Sequence, residues 1–282
     1  MAKRGRQLIP WRAAGTRTER RHSADEVVRE TGWVFNNQTG GSLTLGEFVA
    51  TGDAEVDIYI DRLGWNDLDP SSTVLEIGSG IGRMTAAFTR RFDHVVAADV
   101  DAAFLERCRE TVARYGRPTT LRTSHIADGR SITMPDRSVD AVFSYITLQH
   151  CRTSDAVALT REALRVVRPG GRIALNFRTW VPADAVLIPA GVVMRLLWNV
   201  PAIGARLSTW RWSTRLGWQA NRLDPRRVLA VVEAVASELT DVAILHHPGR
   251  PQRDAVFAGE PVPQRDLDVA NKSHWWLVAR RR

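Results

Sequence analysis

The stretch VLEIGSGIGRMT (residues 74–85) joins a short apolar run, one carboxylate and three glycines. Glu76 stands in the apolar run, and Gly78, Gly80 and Gly82 follow at alternate positions. Because glycine accepts positive φ and has no Cβ, such a loop lets a ligand approach the backbone closely. A buried strand that leads through this loop into a helix predicts a ligand site at the carboxyl end of the strand, where doubly wound sheets bind their ligands.

Around this loop, short apolar runs alternate with segments of helical periodicity. The alternation predicts a doubly wound α/β fold, in which helices cover both faces of a largely parallel sheet. Strands are predicted at 73–77, 94–99, 119–126, 138–145, 172–177, 242–247 and 254–259, and helices at 54–65, 102–115, 155–167 and 224–239. The last helix has a clear start signal, since Asp224 is a good N-cap and Pro225 suits the first helical position.

The glycine spacing distinguishes two classes of ligand. A dinucleotide-binding loop follows the pattern GxGxxG, whereas this loop reads GxGxG and has Arg83 where the third glycine is expected. The preceding carboxylate, Glu76, disfavours a pyrophosphate and suits an ammonium group. Asp99 ends the next strand, where a carboxylate can accept hydrogen bonds from both ribose hydroxyls. These residues therefore predict a nucleoside ligand that carries an amino-acid-like cation.

Four segments, in this order, resemble the motifs of class I S-adenosylmethionine-dependent methyltransferases. They are VLEIGSGIGRMT, VVAADVD (95–101), HIADGRSITMPDRSVDAVFSYITLQH (125–150) and EALRVVRPGGRIALNF (162–177). The resemblance covers roughly residues 45–180. It implies a Rossmann-like, seven-stranded, mostly parallel sheet whose last strand is antiparallel. It also implies S-adenosyl-L-methionine as the cofactor and S-adenosyl-L-homocysteine as the product.

The resemblance further implies a set of cofactor-binding residues near the carboxyl ends of the first four strands. Glu76 would interact with the amino-acid part of the cofactor, and Asp99 would hold the ribose. Asp128 would meet the adenine edge, although an ordinary Asp-Gly turn would have the same sequence. The complete set is Glu76, Gly78, Ser79, Gly80, Gly82, Asp99, Val100, Asp128, Gly129 and Ser144.

The sequence also offers candidates for the acceptor side of the site. A hydroxyl acceptor must lose a proton, and His150 follows the fourth strand with a side chain that is basic near neutral pH. Alternatively, His150 only bonds the backbone or packs on the cofactor. Tyr145, Arg178 and Trp180 are candidate acceptor-binding residues, with Arg178 suited to an anionic acceptor or simply to the surface. No group of residues has metal-ligand spacing, so no metal is predicted.

The chain is predicted to divide into six segments. A basic, flexible tail (1–22) precedes a helical lead-in (23–72) that closes over the cofactor. The core cofactor-binding half (73–177) leads into a Trp-rich insertion (178–223), which holds five of the ten tryptophans. This insertion is interpreted as a lid over the acceptor, with a dimer contact and an interfacial element as alternatives. The remaining segments are the C-terminal part of the sheet (224–262) and a C-terminal segment with a basic end (263–282).

The formal net charge of +8 is concentrated at the two ends of the chain. Residues 1–22 carry +6 and residues 280–282 carry +3, so the body is close to neutral, and both ends are interpreted as solubilising tails. Nucleic acid is therefore disfavoured as a partner relative to a small-molecule acceptor. The expectations are a cytoplasmic monomer or homodimer without a transmembrane segment, and O-methylation of a sugar-like or cyclic metabolite. N- or C-methylation, and a nucleic-acid or protein methyltransferase that uses the basic tails, remain as alternatives.

Overall fold

The computed structural model describes residues 23–35, 43–207, 210–217, 221–249, 255–268 and 272–282. The predicted basic tail at 1–22 lies outside these residues. The helices are α1 Ala24–Phe35, α2 Leu45–Arg62, α3 Thr85–Arg91, α4 Ala102–Tyr115, α5 Thr153–Val166, α6 Asp184–Trp198, α7 Pro201–Leu207, α8 Arg211–Gly217 and α9 Pro225–Glu233. The strands are β1 Thr73–Ile77, β2 His94–Asp99, β3 Leu121–His125, β4 Val139–Ser144, β5 Val167–Arg178, β6 Leu239–His246, β7 Val256–Phe257, β8 Glu260–Pro261, β9 Gln264–Asp266 and β10 His274–Arg281.

Eight of these strands form one twisted sheet in the order β3-β2-β1-β4-β5-β10-β6-β9. The strands β1 to β5 run parallel to one another, whereas β10 is antiparallel to both β5 and β6. The predicted doubly wound, Rossmann-like fold with an antiparallel last strand is confirmed. The strand order changes direction between β1 and β4, which creates the crevice where such sheets bind ligands.

The antiparallel strand comes from a later segment of the chain than predicted. DAVFAG (254–259) was predicted to enter the sheet, but Val256–Phe257 pairs only with Glu260–Pro261 in a two-stranded ribbon. The strand is instead HWWLVARR (274–281), and β9 adds an eighth strand beside β6. Trp275 and Trp276 explain the preference, since alternation along β10 buries their indoles on opposite faces of the sheet.

The helix predicted at 224–239 is shorter in the structure, where it runs from Pro225 to Glu233. Asp224 caps it as expected by accepting a hydrogen bond from the Arg226 backbone N–H at 3.0 Å. The helix ends at Glu233, because the chain must extend again to pair as β6 with β10. Pairing in the sheet therefore overrides the apolar periodicity of the segment.

The basic end of the chain is not a solubilising tail, which corrects the interpretation of residues 280–282. Arg280 and Arg281 belong to β10, and Arg281 is only 8% exposed. Its guanidinium donates to the carbonyl oxygens of Leu164, Arg165 and Val167 at the C-terminal end of α5. It also pairs with the Glu238 carboxylate. Arg281 thus satisfies carbonyl groups that a helix end leaves without partners.

We expect Arg281→Ala to lower the free energy of unfolding by about 2–3 kcal/mol, because it leaves buried carbonyl groups unsatisfied. Arg282→Ala is the matched control, since that neighbouring side chain is exposed. Urea denaturation of both variants measures the difference. Equal stabilities of the two variants would contradict the role assigned to Arg281.

Helix α2 covers one face of the sheet and begins at a complete capping box, in which the Thr44 and Glu47 side chains bond each other's backbone N–H groups. Gly52 lets this helix approach the loop after β1, because a Cβ there would lie 2.2 Å from the Arg83 carbonyl oxygen.

Among the described helices, none combines the length and apolar character that a membrane-spanning helix needs. The division into six segments stays a prediction.

Candidate functional site

The glycine loop turns sharply at the carboxyl end of β1. The backbone N–H groups of Gly78 and Ser79 both donate to the Ala98 carbonyl oxygen of β2, at 2.7 and 3.2 Å. Gly78, Gly80 and Gly82 have φ values of 84°, 55° and 92°, which are costly for any residue with a Cβ. The three glycines are therefore required by the backbone itself.

We expect Gly78→Ala to weaken binding of S-adenosylhomocysteine by about thirtyfold, because both strain and a clash oppose the native loop. A Cβ at Gly78 would lie 2.1 Å from the side chain of Thr147. Gly64→Ala is the matched control, because Gly64 also has a positive φ (67°) but nothing lies within 4 Å of its Cβ position. Calorimetric titration of both variants measures the effect. Equal affinities of the two variants would show that the loop absorbs the extra methyl group.

Two buried carboxylates flank this loop. Glu76 is 5% exposed, and one of its oxygens accepts a 2.6 Å hydrogen bond from the Thr85 hydroxyl. Asp99 is 7% exposed and accepts hydrogen bonds of 2.9 Å from the backbone N–H groups of Gly80 and Asp101. Burial raises the pKa of Glu76 to about 7 and that of Asp99 to about 6. The charged forms therefore lack the stabilisation that a ligand rich in hydrogen-bond donors supplies.

We expect affinity for S-adenosylhomocysteine to fall as the pH is lowered from 8 to 5. The ligand's hydroxyl and ammonium groups favour the ionised carboxylates of Glu76 and Asp99. The affinity should therefore drop roughly tenfold per pH unit between about 7 and 6, and up to about a hundredfold per unit below about 6, where both groups take up a proton. The raised pKa values mean that the ligand-free fold holds protons that the unfolded chain releases. These two groups therefore favour the fold at low pH, so their own protonation weakens binding without unfolding the chain, and circular dichroism at each pH verifies that the protein is folded. Titrations in buffers of different ionisation enthalpy should show proton release, and a pH-independent affinity would contradict the assignment.

Helix α2 presents a polar face to the loop that the sequence analysis missed. Arg83 follows the glycines and forms an ion pair with Glu55 at 2.6 Å and a hydrogen bond with the Thr51 hydroxyl at 3.3 Å. Tyr59 continues the same face of α2 one turn further on. The signal was present, since residues 51, 55 and 59 recur every four positions and lie on one side of a helix.

The chain after β4 is held in an unusual conformation. Ile146 has a φ of 52°, which is rare for a β-branched residue and costs strain. Its N–H donates to the side-chain oxygen of Asn176 at 3.2 Å, and the Asn176 amide donates to the Trp275 carbonyl at 3.3 Å. Thr147 then packs on Gly78. The strain directs the chain across the carboxyl edge of the sheet, between β1 and β5.

Ser144 and Tyr145, which end the predicted fourth strand, face different surroundings. The Ser144 hydroxyl is fully buried and donates to the Ile77 carbonyl at 3.0 Å, which ties β4 to β1. Tyr145 stacks on Trp276 with ring centroids 5.6 Å apart, and its ring contacts that of Tyr59 with centroids 4.8 Å apart. Burial raises the pKa of Tyr145 to about 12, so its hydroxyl stays protonated at neutral pH.

His150 lies at the same edge, in a single 3-10 turn at Leu148–His150 that follows β4. Its Nε2 is 3.1 Å from the side-chain nitrogen of Gln149, whose amide oxygen is buried without a partner in this orientation. Rotating the amide by 180° would let that oxygen accept a hydrogen bond from His150 Nε2–H instead. The Gln149 carbonyl accepts from the Asn221 N–H at 2.6 Å, so the returning insertion is anchored beside His150.

The loop after β3 forms a self-contained turn. Both Asp128 oxygens accept hydrogen bonds within the turn, from the backbone N–H groups of Arg130 and Ser131 and from the Ser131 hydroxyl. These bonds hold the pKa of Asp128 below its ordinary value. Gly129 follows with a φ of 74° and open space around it. The Val100 carbonyl is 3.3 Å from His125 Nε2 on the neighbouring strand end. Asp128 is exposed, so each oxygen has room for a further donor.

Arg178 belongs to a cluster that the sequence analysis did not foresee. At the end of β5 it is half-buried and pairs with the fully buried Asp184 at 3.3 Å. Arg222 contacts the same carboxylate. Burial, together with the nearby charge of Arg222, lowers the pKa of Arg178. Two arginines thus share one carboxylate at the end of β5, whereas Trp180 is 47% exposed.

The donor set identifies the kind of group that this edge can hold. The two buried carboxylates offer hydrogen-bond acceptors, and the nearby cation, Arg83, is already paired with Glu55. This arrangement fits ribose hydroxyls and an ammonium group and opposes a pyrophosphate. Within the described residues, no cluster of three or more His, Cys, Asp or Glu side chains could hold a metal ion.

The family match falls on the part of the chain that carries the glycine loop and the first strands of the sheet. Residues 74–171 match a family model described as "Methyltransferase domain". The chain is 30% identical over 131 residues to phosphoethanolamine N-methyltransferase of Triticum aestivum, which covers 46% of this chain and 24% of the relative. It is 34% identical over 111 residues to an uncharacterized methyltransferase of Mycobacterium sp. strain KMS, which covers 39% and 40%. The alignments thus span between a quarter and two fifths of the length of these curated relatives.

The fold is shared with a solved structure over nearly the whole chain. Magnesium protoporphyrin IX methyltransferase from Synechocystis, solved with bound S-adenosylhomocysteine, superimposes with a TM-score of 0.51. The superposition covers 92% of this chain and 98% of that protein, at 14% sequence identity. At this identity the likeness concerns the fold alone.

Proposed function

Residues 74–171 form a class I S-adenosylmethionine-dependent methyltransferase domain, and from this premise we propose that the protein transfers a methyl group to a small-molecule acceptor. The favoured acceptor group is a hydroxyl of a sugar-like or cyclic metabolite. The observation that carries the proposal is the pair of buried carboxylates, Glu76 and Asp99, on either side of the glycine loop.

The side chains at the carboxyl edge of the sheet have separate proposed roles. Asp99 accepts hydrogen bonds from the ribose hydroxyls, and Glu76 orients the ammonium end of the cofactor. S-adenosylmethionine supplies an electrophilic methyl group on a sulfonium, so alignment of the acceptor is the main task of the chain. His150 takes the proton of the acceptor hydroxyl, and the Gln149 amide, 3.1 Å from its Nε2, orients the imidazole.

The Trp-rich insertion is proposed as the lid over the acceptor. It leaves the sheet at Arg178 and returns beside the same strand end, where the Leu223 N–H donates to the Arg178 carbonyl at 2.8 Å. The returning chain also bonds the loop that carries His150, through Asn221. An insertion that begins and ends at the carboxyl edge is well placed to exclude water from the acceptor. The lead-in (23–72) is likewise proposed to close over the cofactor, because its helix α2 contacts the segment after the glycine loop through the Glu55–Arg83 ion pair.

Two outcomes of acceptor chemistry stay open within this proposal. N-methylation is the activity in the printed name of the Triticum aestivum relative, and C-methylation also requires in-line attack on the same methyl group. A nucleic-acid or protein acceptor would need the basic tails. This alternative is weakened because Arg281 is buried in β10, although residues 1–22 could still act as an arm.

Two measurements test the proposal in sequence. Calorimetric titration with S-adenosylhomocysteine should show binding, and titration with NAD should show none. A panel of hydroxylated and amine metabolites, assayed by release of S-adenosylhomocysteine, then identifies the acceptor, and the product's mass and NMR spectrum locate the new methyl group. Binding of NAD in place of S-adenosylhomocysteine would overturn the proposal.

A further inference from the structure

The insertion carries most of the exposed apolar surface of the molecule. Of the fourteen large apolar side chains that are exposed in the described part of the chain, twelve lie between residues 180 and 212. Seven belong to α6, namely Val186, Leu187, Ile188, Val192, Val193, Leu196 and Leu197, and we call these seven the apolar face. Monomeric soluble proteins rarely expose a contiguous patch of this size, so the apolar face is expected to contact a partner.

Helix α6 has the composition of a buried helix but only a narrow buried seam. Its buried residues are Asp184, Gly191, Met194 and Trp198, which recur at heptad-like spacing on one side. Its only charged residues are Asp184, which lies in that seam, and Arg195, which is half-buried beside it. A surface helix normally turns a polar side to water, whereas this one turns an uncharged apolar side outward.

The length of α6 excludes a membrane span. Its fifteen residues extend about 22 Å, which is less than the ~30 Å of a bilayer's hydrocarbon core. A helix of this kind binds a membrane by lying along its surface, with the apolar side among the acyl chains. Exposed tryptophans border α6 in the sequence: Trp180 precedes it, and Trp210 and Trp212 follow it. Tryptophan is enriched at the level of lipid headgroups, where its ring and N–H both find suitable surroundings.

The net charge of residues 178–223 favours a membrane over a second copy of the chain as the partner of the apolar face. Residues 178–223 contain six arginines and a single acidic residue, Asp184, which is already buried against two of them. A two-fold dimer through this segment would bring the same net positive charge of two copies close together. A bilayer that contains anionic lipids attracts it.

We propose that the apolar face of α6 docks on the surface of an anionic lipid bilayer. The helix lies in the plane of the interface with the flanking tryptophans at the level of the headgroups, and the net positive charge of the segment attracts the anionic lipids. Trp180 follows Arg178 by two residues, so the docked surface borders the acceptor edge of the sheet. The inference does not depend on methyl transfer, because it rests on exposure and charge alone.

Sedimentation of the full-length protein with vesicles tests this inference. The vesicles contain phosphatidylcholine alone, or phosphatidylcholine and phosphatidylglycerol in about a 3:1 ratio. The test variant is Val193→Glu/Leu196→Glu on the apolar face, whose residues are 56% and 63% exposed. The matched control is Ile58→Glu/Val256→Glu, which changes the same charge at apolar positions that are 40% and 56% exposed elsewhere. Thermal unfolding verifies that both variants are folded.

We expect the unmodified protein and the control variant to bind the anionic vesicles and to bind neutral vesicles much more weakly. The test variant should partition at least about tenfold less. Absence of vesicle binding, or equal binding by both variants, would overturn the proposal; equal binding would assign the interaction to another basic part of the chain. Concentration-dependent dimers that only the test variant loses, without vesicle binding, would identify a second copy as the partner instead.

Discussion

Replacing Asp99 by alanine is expected to lower the affinity for S-adenosylhomocysteine about a thousandfold. Hydrogen bonds to a charged partner contribute about 1.5–3 kcal/mol each, and two ribose hydroxyls lose such a partner together. The same carboxylate holds the backbone of the glycine loop through the Gly80 N–H at 2.9 Å. The substitution therefore removes both a ligand contact and the support of the loop.

Asp101→Ala serves as the matched control for this prediction. Asp101 caps α4 by accepting from the Ala103 N–H at 2.9 Å, so its loss perturbs the same turn without removing the buried carboxylate. We expect that variant to bind S-adenosylhomocysteine within about threefold of the unmodified protein, since a lost cap costs about 1 kcal/mol of stability. Calorimetry on both variants, with circular dichroism to establish folding, measures the difference. Retained affinity in Asp99→Ala would remove the ribose-binding role.

Replacing His150 by alanine is expected to reduce kcat about a hundredfold, while affinity for S-adenosylhomocysteine stays within about twofold. General-base catalysis typically contributes this much or more, and an alcohol cannot be methylated efficiently while it keeps its proton. The limb of the pH–rate profile that reports an imidazole near neutral pH should disappear with the side chain. Steady-state rates with the acceptor identified by screening measure the effect.

His94→Ala is the control for that substitution, because His94 is exposed at the opposite, amino end of β2. It should leave both kcat and affinity unchanged. An unchanged kcat in His150→Ala would show that the base lies elsewhere. A loss of cofactor affinity without a change in the pH profile would instead support the packing role that the sequence also allowed.

Local sequence was sufficient to predict the conformation of segments whose structure depends mainly on their own residues. The glycine loop is one example, because positive φ at Gly78 and Gly82 follows from residue type and spacing. The helix at 102–115 is another, since its periodicity and its N-cap Asp101 define it without distant contacts. Motif order along the chain was similarly sufficient to predict the doubly wound sheet and the class of its nucleoside ligand.

Contacts between distant segments could not be predicted from the same patterns. Residues 254–259 and 274–281 are both short apolar segments near the end of the chain. The segment 274–281 takes the antiparallel position because Trp275 and Trp276 pack on opposite faces of the sheet. The sharing of Asp184 by Arg178 and Arg222 required residues separated by 38 positions to meet at one strand end. The partner of Gln149 likewise depends on where the insertion returns.

The sequence by itself determined the fold class, the glycine loop and the two carboxylates beside it, because backbone conformation and strand-end chemistry depend on neighbouring residues. Only the tertiary structure decided the fate of the basic end, the surroundings of His150 and the outward side of α6. These features depend on which surfaces remain after every strand and helix has packed. Burial depends on the packing of the whole chain. A local sequence pattern therefore predicts the conformation of a segment, whereas its contacts are known only from the complete fold.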